Sequence, residues 1–132
     1  MNSLIDRILS DVHTIAVVGL SDKPGRPSND VARYLKERGY RVVPVNPGIR
    51  EALGERAYPS LRGIPEKVDL VDVFRRPEEV LPIAEEAIRI GARYFWMQEG
   101  VSHRETEEML AGAGIPVIAD RCIKKELVKR DG

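Results

Sequence analysis

The 132-residue chain is poor in several things, and each shortage removes a class of function. It has one cysteine, Cys122, so no disulfide can form within it and the sequence reads as a protein of a reducing compartment, the cytoplasm. It has two histidines, and no pair of Cys or His stands at metal-ligand spacing, which argues against a zinc site. It has no excess of either charge, 21 Lys+Arg against 21 Asp+Glu, so no overall field draws it to nucleic acid or to an anionic membrane. Any anion site has to be local.

No long apolar run is present. Asp6, Arg7, Asp11 and His13 interrupt residues 1–13, which therefore read neither as a signal peptide nor as a membrane span. Repeats and low-complexity linkers are also absent, and the length suits one domain spanning residues 1–132.

What is present is an alternation. Five short, mostly apolar runs, Thr14–Gly19, Arg41–Asn46, Val68–Phe74, Arg93–Met97 and Pro116–Asp120, have the continuous hydrophobicity of strands buried on both faces in a parallel sheet. Helical patterns separate them. Ser28 is placed to cap a helix that turns Val31, Ala32 and Leu35 inward and ends at Gly39. After a short turn at Pro77, a helix is expected with Pro82 at its first position and Gly91 as its stop. Ser102 and Glu105 have the spacing of a capping box for a helix reaching Gly112. Shorter helices are expected around Leu4–Leu9 and Lys124–Lys129. The expected fold is α/β: a doubly wound, five-stranded parallel sheet in the order 3-2-1-4-5 with helices on both faces. The Gly- and Pro-rich stretch Pro47–Pro65 breaks the alternation and reads as a loop with a short helical turn.

Chemistry concentrates where the first strand meets the first crossover helix, in Gly19-Leu20-Ser21-Asp22-Lys23-Pro24-Gly25-Arg26-Pro27-Ser28. Such a junction offers free amides and the positive end of a helix dipole. Ser21 and Ser28 add hydroxyls, while Lys23 and Arg26 add charge, so a phosphate-bearing ligand is expected. The plainer reading is a glycine turn with two solvated cations. The spacing is not G-x-G-x-x-G, and the second strand ends in Val45-Asn46-Pro47 without the carboxylate that holds an NAD ribose. That suits a ligand with a phosphorylated ribose, either coenzyme A or NADP. Beyond the third strand, Arg75 and Arg76 either meet that ligand or pair with Glu78 and Glu79, and Phe74 offers a surface for an adenine or a pantetheine arm. Beyond the fourth, Gln98 is a hydrogen-bonding candidate, whereas Trp96 and Met97 read as core.

These segments, with Gly39-Tyr40, Val43–Pro47, Val71–Val80 and Asp120-Arg121-Cys122, resemble the stand-alone CoA-binding protein family over about residues 12–126. That family is similar to the amino-terminal CoA-binding domain of the succinyl-CoA synthetase α subunit. The resemblance implies a Rossmann-like fold with CoA over the carboxyl edge of the sheet. It implicates Gly19, Ser21, Lys23, Arg26 and Ser28 in phosphate and ribose contacts, Val45, Asn46 and Pro47 at the second strand end, and Phe74, Arg75 and Arg76 at the third. Leu20 departs from the small residue common at its position and crowds the phosphate turn. His13 and His103 do not match the phosphorylated histidine of the synthetase, and no nucleophile elbow for Ser-His-Asp chemistry is seen. The reading is therefore a binding module for CoA or acyl-CoA without catalytic residues. Its rivals are an NADP-dependent reductase and the CoA-binding half of a multi-subunit acyl-CoA ligase. Cys122 reads as a half-buried thiol, with a mixed disulfide to CoA as the sharper alternative.

Overall fold

The computed structural model describes residues 3–131. Helix α1 (Ser3–Asp11) leads into β1 (Thr14–Val18), α2 (Pro27–Glu37) and β2 (Arg41–Val45). A two-stranded hairpin, β3 (Glu51–Ala52) and β4 (Glu55–Arg56), and a 3-10 turn at Leu61–Gly63 precede β5 (Leu70–Val73). Then come a 3-10 turn at Pro77–Glu79, α3 (Val80–Arg89), β6 (Tyr94–Met97), α4 (Arg104–Gly112), β7 (Val117–Ile118) and α5 (Ile123–Asp131).

The five main strands form one parallel sheet in the order β2-β1-β5-β6-β7. Alternation along the strands splits the core in two. Ile15, Val17, Leu70 and Trp96 face α1, α2 and α5, where they meet Ile8, Leu35 and Ile123. Ala16, Val71, Val73, Phe95 and Met97 face α3 and α4, packing with Ala84, Ala87 and Leu110. Trp96 and Met97 are core residues, both with no exposed surface.

The parallel sheet with helices on both faces agrees with the expectation, but the strand order does not. Counted along the chain, the parallel strands run 2-1-3-4-5 rather than 3-2-1-4-5, because β2 is an edge strand. Pro44 explains this. Its carbonyl points away from β1 and accepts the Tyr58 amide at 3.0 Å, so the N–H that proline lacks would have faced the same side. A third full strand there would lose a ladder bond. The chain instead adds one residue, Tyr58, in a parallel bridge to Val45 and then crosses beneath β1 to start β5 on the far side.

Three local expectations also shift. Arg26, not Ser28, is the N-cap residue of α2; Ser28 lies inside the helix because Pro27 takes the first position. Pro82 is the third residue of α3, still in the first turn, where amides have no helical acceptor, so the 3-10 turn at Pro77 and the helix run together. The cap of α4 is His103 rather than Ser102: its Nδ1 accepts the Thr106 amide at 3.3 Å, and Glu107 rather than Glu105 accepts the His103 amide at 3.1 Å.

One buried group stands out. Asp72, in the middle of β5 between Val17 and Trp96, has no exposed surface, and neither carboxylate oxygen has a hydrogen-bond partner among the described residues. Burial holds its pKa well above the usual carboxylate range.

Candidate functional site

From β1 the chain steps to β2 on one side and later to β5 on the other, so the switch point of the sheet lies between the carboxyl ends of β1 and β5. In open α/β sheets that crevice is where ligands bind. A cleft of about 680 Å³ opens there, a volume ordinary for a cofactor site. It is lined from the β1 loop by Gly19, Ser21, Arg26, Pro27 and Ser28, from the β5 end by Phe74, Arg75, Arg76, Pro77 and Glu79, and from the β6 end by Gln98 through Val101.

Gly19 makes the junction. Its φ of +90° is left-handed, and a Cβ at this position would overlap the Phe74 carbonyl oxygen and lie 3.3 Å from Arg75 Nε. The two loops can therefore touch only through glycine. Backbone bonds hold them there: Gly19 donates to Val45 O and Phe74 to Val18 O, each at 2.8 Å.

The loop from Ser21 to Ser28 is braced from inside. Ser28 Oγ accepts the Ser21 amide at 2.9 Å, Ser21 Oγ accepts the Lys23 amide at 3.1 Å, and Asn29 Nδ2 donates to Ser21 O at 2.9 Å. Ser28 thus shapes the loop before it can meet any ligand. Replacing it by alanine leaves the Ser21 amide without its acceptor, and Ser28→Ala is expected to lose about 1–2 kcal/mol in urea unfolding. A variant as stable as the parent would show that water takes over this bond.

Charge in the cleft is unevenly committed. Arg76 pairs with Glu78 at 3.4 Å and Glu79 at 3.2 Å, and its hydrogen bond holds the Glu79 carboxyl below the usual range. Glu99 is held by Lys125 at 2.9 Å. Arg26 and Arg75 make no ion pair among the described residues, and the Arg26 side chain does not cap α2. Two guanidinium groups without an ion pair, Arg75 acting on Glu79 only through its longer-range charge, thus line one cleft together with the amino terminus of α2, an arrangement complementary to phosphate. Gln98, 5% exposed, accepts the Ile123 amide through Oε1 at 3.3 Å, which fixes its flip and leaves Nε2 as a donor.

The sequence-predicted residues divide accordingly. Gly19, Ser21, Arg26, Ser28, Phe74, Arg75, Arg76 and Gln98 come together around the cleft. Leu20, Lys23, Val45, Asn46 and Pro47 are not in its lining. Leu20 turns its side chain wholly into the core, so it does not crowd the turn, and Lys23 is exposed on the outer loop. Asn46 is occupied by the protein itself, donating to Leu20 O at 3.0 Å and accepting the Gly48 amide at 2.8 Å. Glu99 and Gly100, which follow Gln98 in the stretch whose amide and carboxylate the sequence offers at this strand end, also line the cleft, and Val101, the next residue, extends it without a sequence signal of its own. Among the described residues, no group of three or more His, Cys, Asp or Glu side chains could hold a metal ion.

A family model described as a CoA binding domain matches residues 13–128, a span that contains every strand and the whole cleft lining. The chain belongs to that family. It is 46% identical over 120 residues to the uncharacterized protein YneT of Bacillus subtilis (strain 168), covering 91% of this chain and 89% of that one. A solved structure of a hypothetical protein from Pyrococcus horikoshii OT3 superposes with a TM-score of 0.96 at 39% identity, covering 100% of this chain and 93% of the other. The chain is also 29% identical over 120 residues to acetate–CoA ligase [ADP-forming] I of Archaeoglobus fulgidus, covering 83% of this chain but 17% of that protein. The family likeness thus joins small proteins of similar length to one segment of a large ligase. Among the described residues, no helix is long and apolar enough to cross a membrane.

Proposed function

We propose that this CoA-binding domain holds coenzyme A or an acyl-CoA in the β1/β5 cleft and acts as a carrier, sensor or regulatory module in the cytoplasm, without chemistry of its own. The observation that carries this reading is the pair Arg26 and Arg75, free of ion pairs among the described residues and lining one cleft with the amino terminus of α2, where Arg26 is the N-cap residue. CoA brings three phosphate groups, and the absence of a carboxylate at the end of β2 suits a phosphorylated ribose. The chemistry CoA would supply is its thiol; the chain supplies the phosphate seat, the Phe74 surface and the Gln98 amide.

The test is isothermal titration of ligand-stripped protein with CoA, 3′-dephospho-CoA, NAD and NADP. Saturable CoA binding is expected, with a loss of about tenfold or more in Arg75→Ala or Arg26→Ala, the scale of one charge-assisted phosphate contact. Binding of NADP with none of CoA would overturn the reading in favour of a reductase. The ligase likeness supports a second reading, in which the chain lends its CoA site to a separate catalytic subunit. Stable association with a purified acyl-CoA ligase subunit would support that version.

A further inference from the structure

Next to the phosphate cleft lies a second, different cavity. About 560 Å³ in volume, it runs between α2 and α5 and is walled by Val31, Cys122 and Val128, with Pro27 and Glu99 shared with the cleft. The two therefore adjoin. Val128 is the one large hydrophobic residue exposed among the described residues, at 48%, and it lies at this slot.

The slot has several charged residues in its walls, but each is engaged. Lys124 bonds Asp30 at 2.8 Å and ties α5 to α2; Lys125 bonds Glu99 at 2.9 Å and ties α5 to the β6 loop; Lys129 reaches Glu126 at 3.5 Å. The charged ends satisfy one another and leave alkyl stems and apolar side chains to form the surface. Such a wall offers little to a phosphate and much to an uncharged chain. The phosphate seat next door has the opposite character, because Arg26 and Arg75 make no ion pair among the described residues.

We infer that this slot receives the pantetheine end of the ligand together with its acyl group, and that the chain binds a CoA thioester bearing an apolar acyl chain more tightly than free CoA. The inference rests on the CoA reading above and adds a subsite and a ligand class to it. CoA is anionic at one end and carries an uncharged arm at the other, in the order in which cleft and slot adjoin. Gln98 lines the cleft beside the shared Glu99 and presents a donor suited to an amide or thioester carbonyl along that path.

The experiment is titration of the parent protein with adenosine 3′,5′-bisphosphate, CoA and hexanoyl-CoA, followed by Val128→Asp with CoA and hexanoyl-CoA. Hexanoyl-CoA is expected to bind about tenfold or more tightly than CoA, since burying even part of the acyl chain yields that ratio. Val128→Asp, checked for an unchanged thermal transition, is expected to bring hexanoyl-CoA down to the level of CoA. Equal affinity of the parent for CoA and hexanoyl-CoA would overturn the inference without need of the variant, as would an undiminished preference in folded Val128→Asp. Failure of the parent to bind both the bisphosphate and CoA would instead sink the cleft reading.

Discussion

Gly19→Ala is expected to cost on the order of 3 kcal/mol or more in urea unfolding and to reduce CoA affinity by at least about tenfold. Two effects add. The left-handed φ of +90° is strained for any residue with a Cβ, and the new methyl has no room, because the Phe74 carbonyl is backbone and cannot rotate away. Relief requires the β1 and β5 ends to part, which moves Arg75 away from the β1 loop on the other side of the cleft. Gly25→Ala supplies the control: the same φ of +90° is imposed, but nothing lies within 4 Å of the added Cβ, so strain alone of about 1–2 kcal/mol is expected. Equal losses in the two variants would show that the close approach at Phe74 has no energetic weight.

Asp72→Val is expected to stabilise the protein, by an amount that grows with pH. With its pKa raised by burial, the folded state keeps the Asp72 proton while the unfolded chain releases it at about pH 4. Below that pH both states are protonated and ionisation contributes no difference. Above it, the parent loses about 1.4 kcal/mol of stability per pH unit from this group until the folded-state pKa is reached. Valine removes that slope and also the cost of a protonated carboxyl with no partner, about 1–3 kcal/mol. Denaturation at pH 4.5 and pH 7.5 reads both parts: the variant should be more stable at each, with the larger gap at pH 7.5. A variant less stable than the parent at both would mean that the carboxyl has a native partner.

How much of this was legible beforehand depends on how local each signal is. The apolar runs around Ala16-Val17-Val18, Val42-Val43 and Phe95-Trp96-Met97 announce strands buried on both faces, and the parallel sheet follows from their alternation with helices. The order of the strands is a global property, yet Pro44 carried the decisive clue, since a proline within a strand marks a sheet edge. The β3–β4 hairpin was hidden for a different reason. Its turn places Leu53 at φ 55° and Gly54 at φ 76°, a conformation usually announced by Asn-Gly or Asp-Gly rather than Leu-Gly.

Of the cleft lining, Arg26, Arg75 and Gln98 are legible in the sequence because each sits at the carboxyl end of a strand or in the loop after it. Asn46 and Leu20 were grouped with them for the same reason, and only side-chain direction separates the residues that line the cleft from those that fasten its walls. The apolar slot left no trace in the sequence, because its walls come from the distant segments Pro27–Val31 and Cys122–Lys129 together with Glu99.

The single bridge of Tyr58 on β2 also bears on how these molecules behave at high concentration. A parallel sheet is a template for growth wherever an edge offers a run of unpaired backbone groups. Here one border has Pro44 beneath a single bridging residue, and the other ends in β7, only two residues long and preceded by Pro116. Neither border presents enough backbone to register an incoming strand. The sheet is thereby closed to propagation on both sides, and a concentrated solution of the folded chain should stay free of fibrillar, sheet-extended polymers.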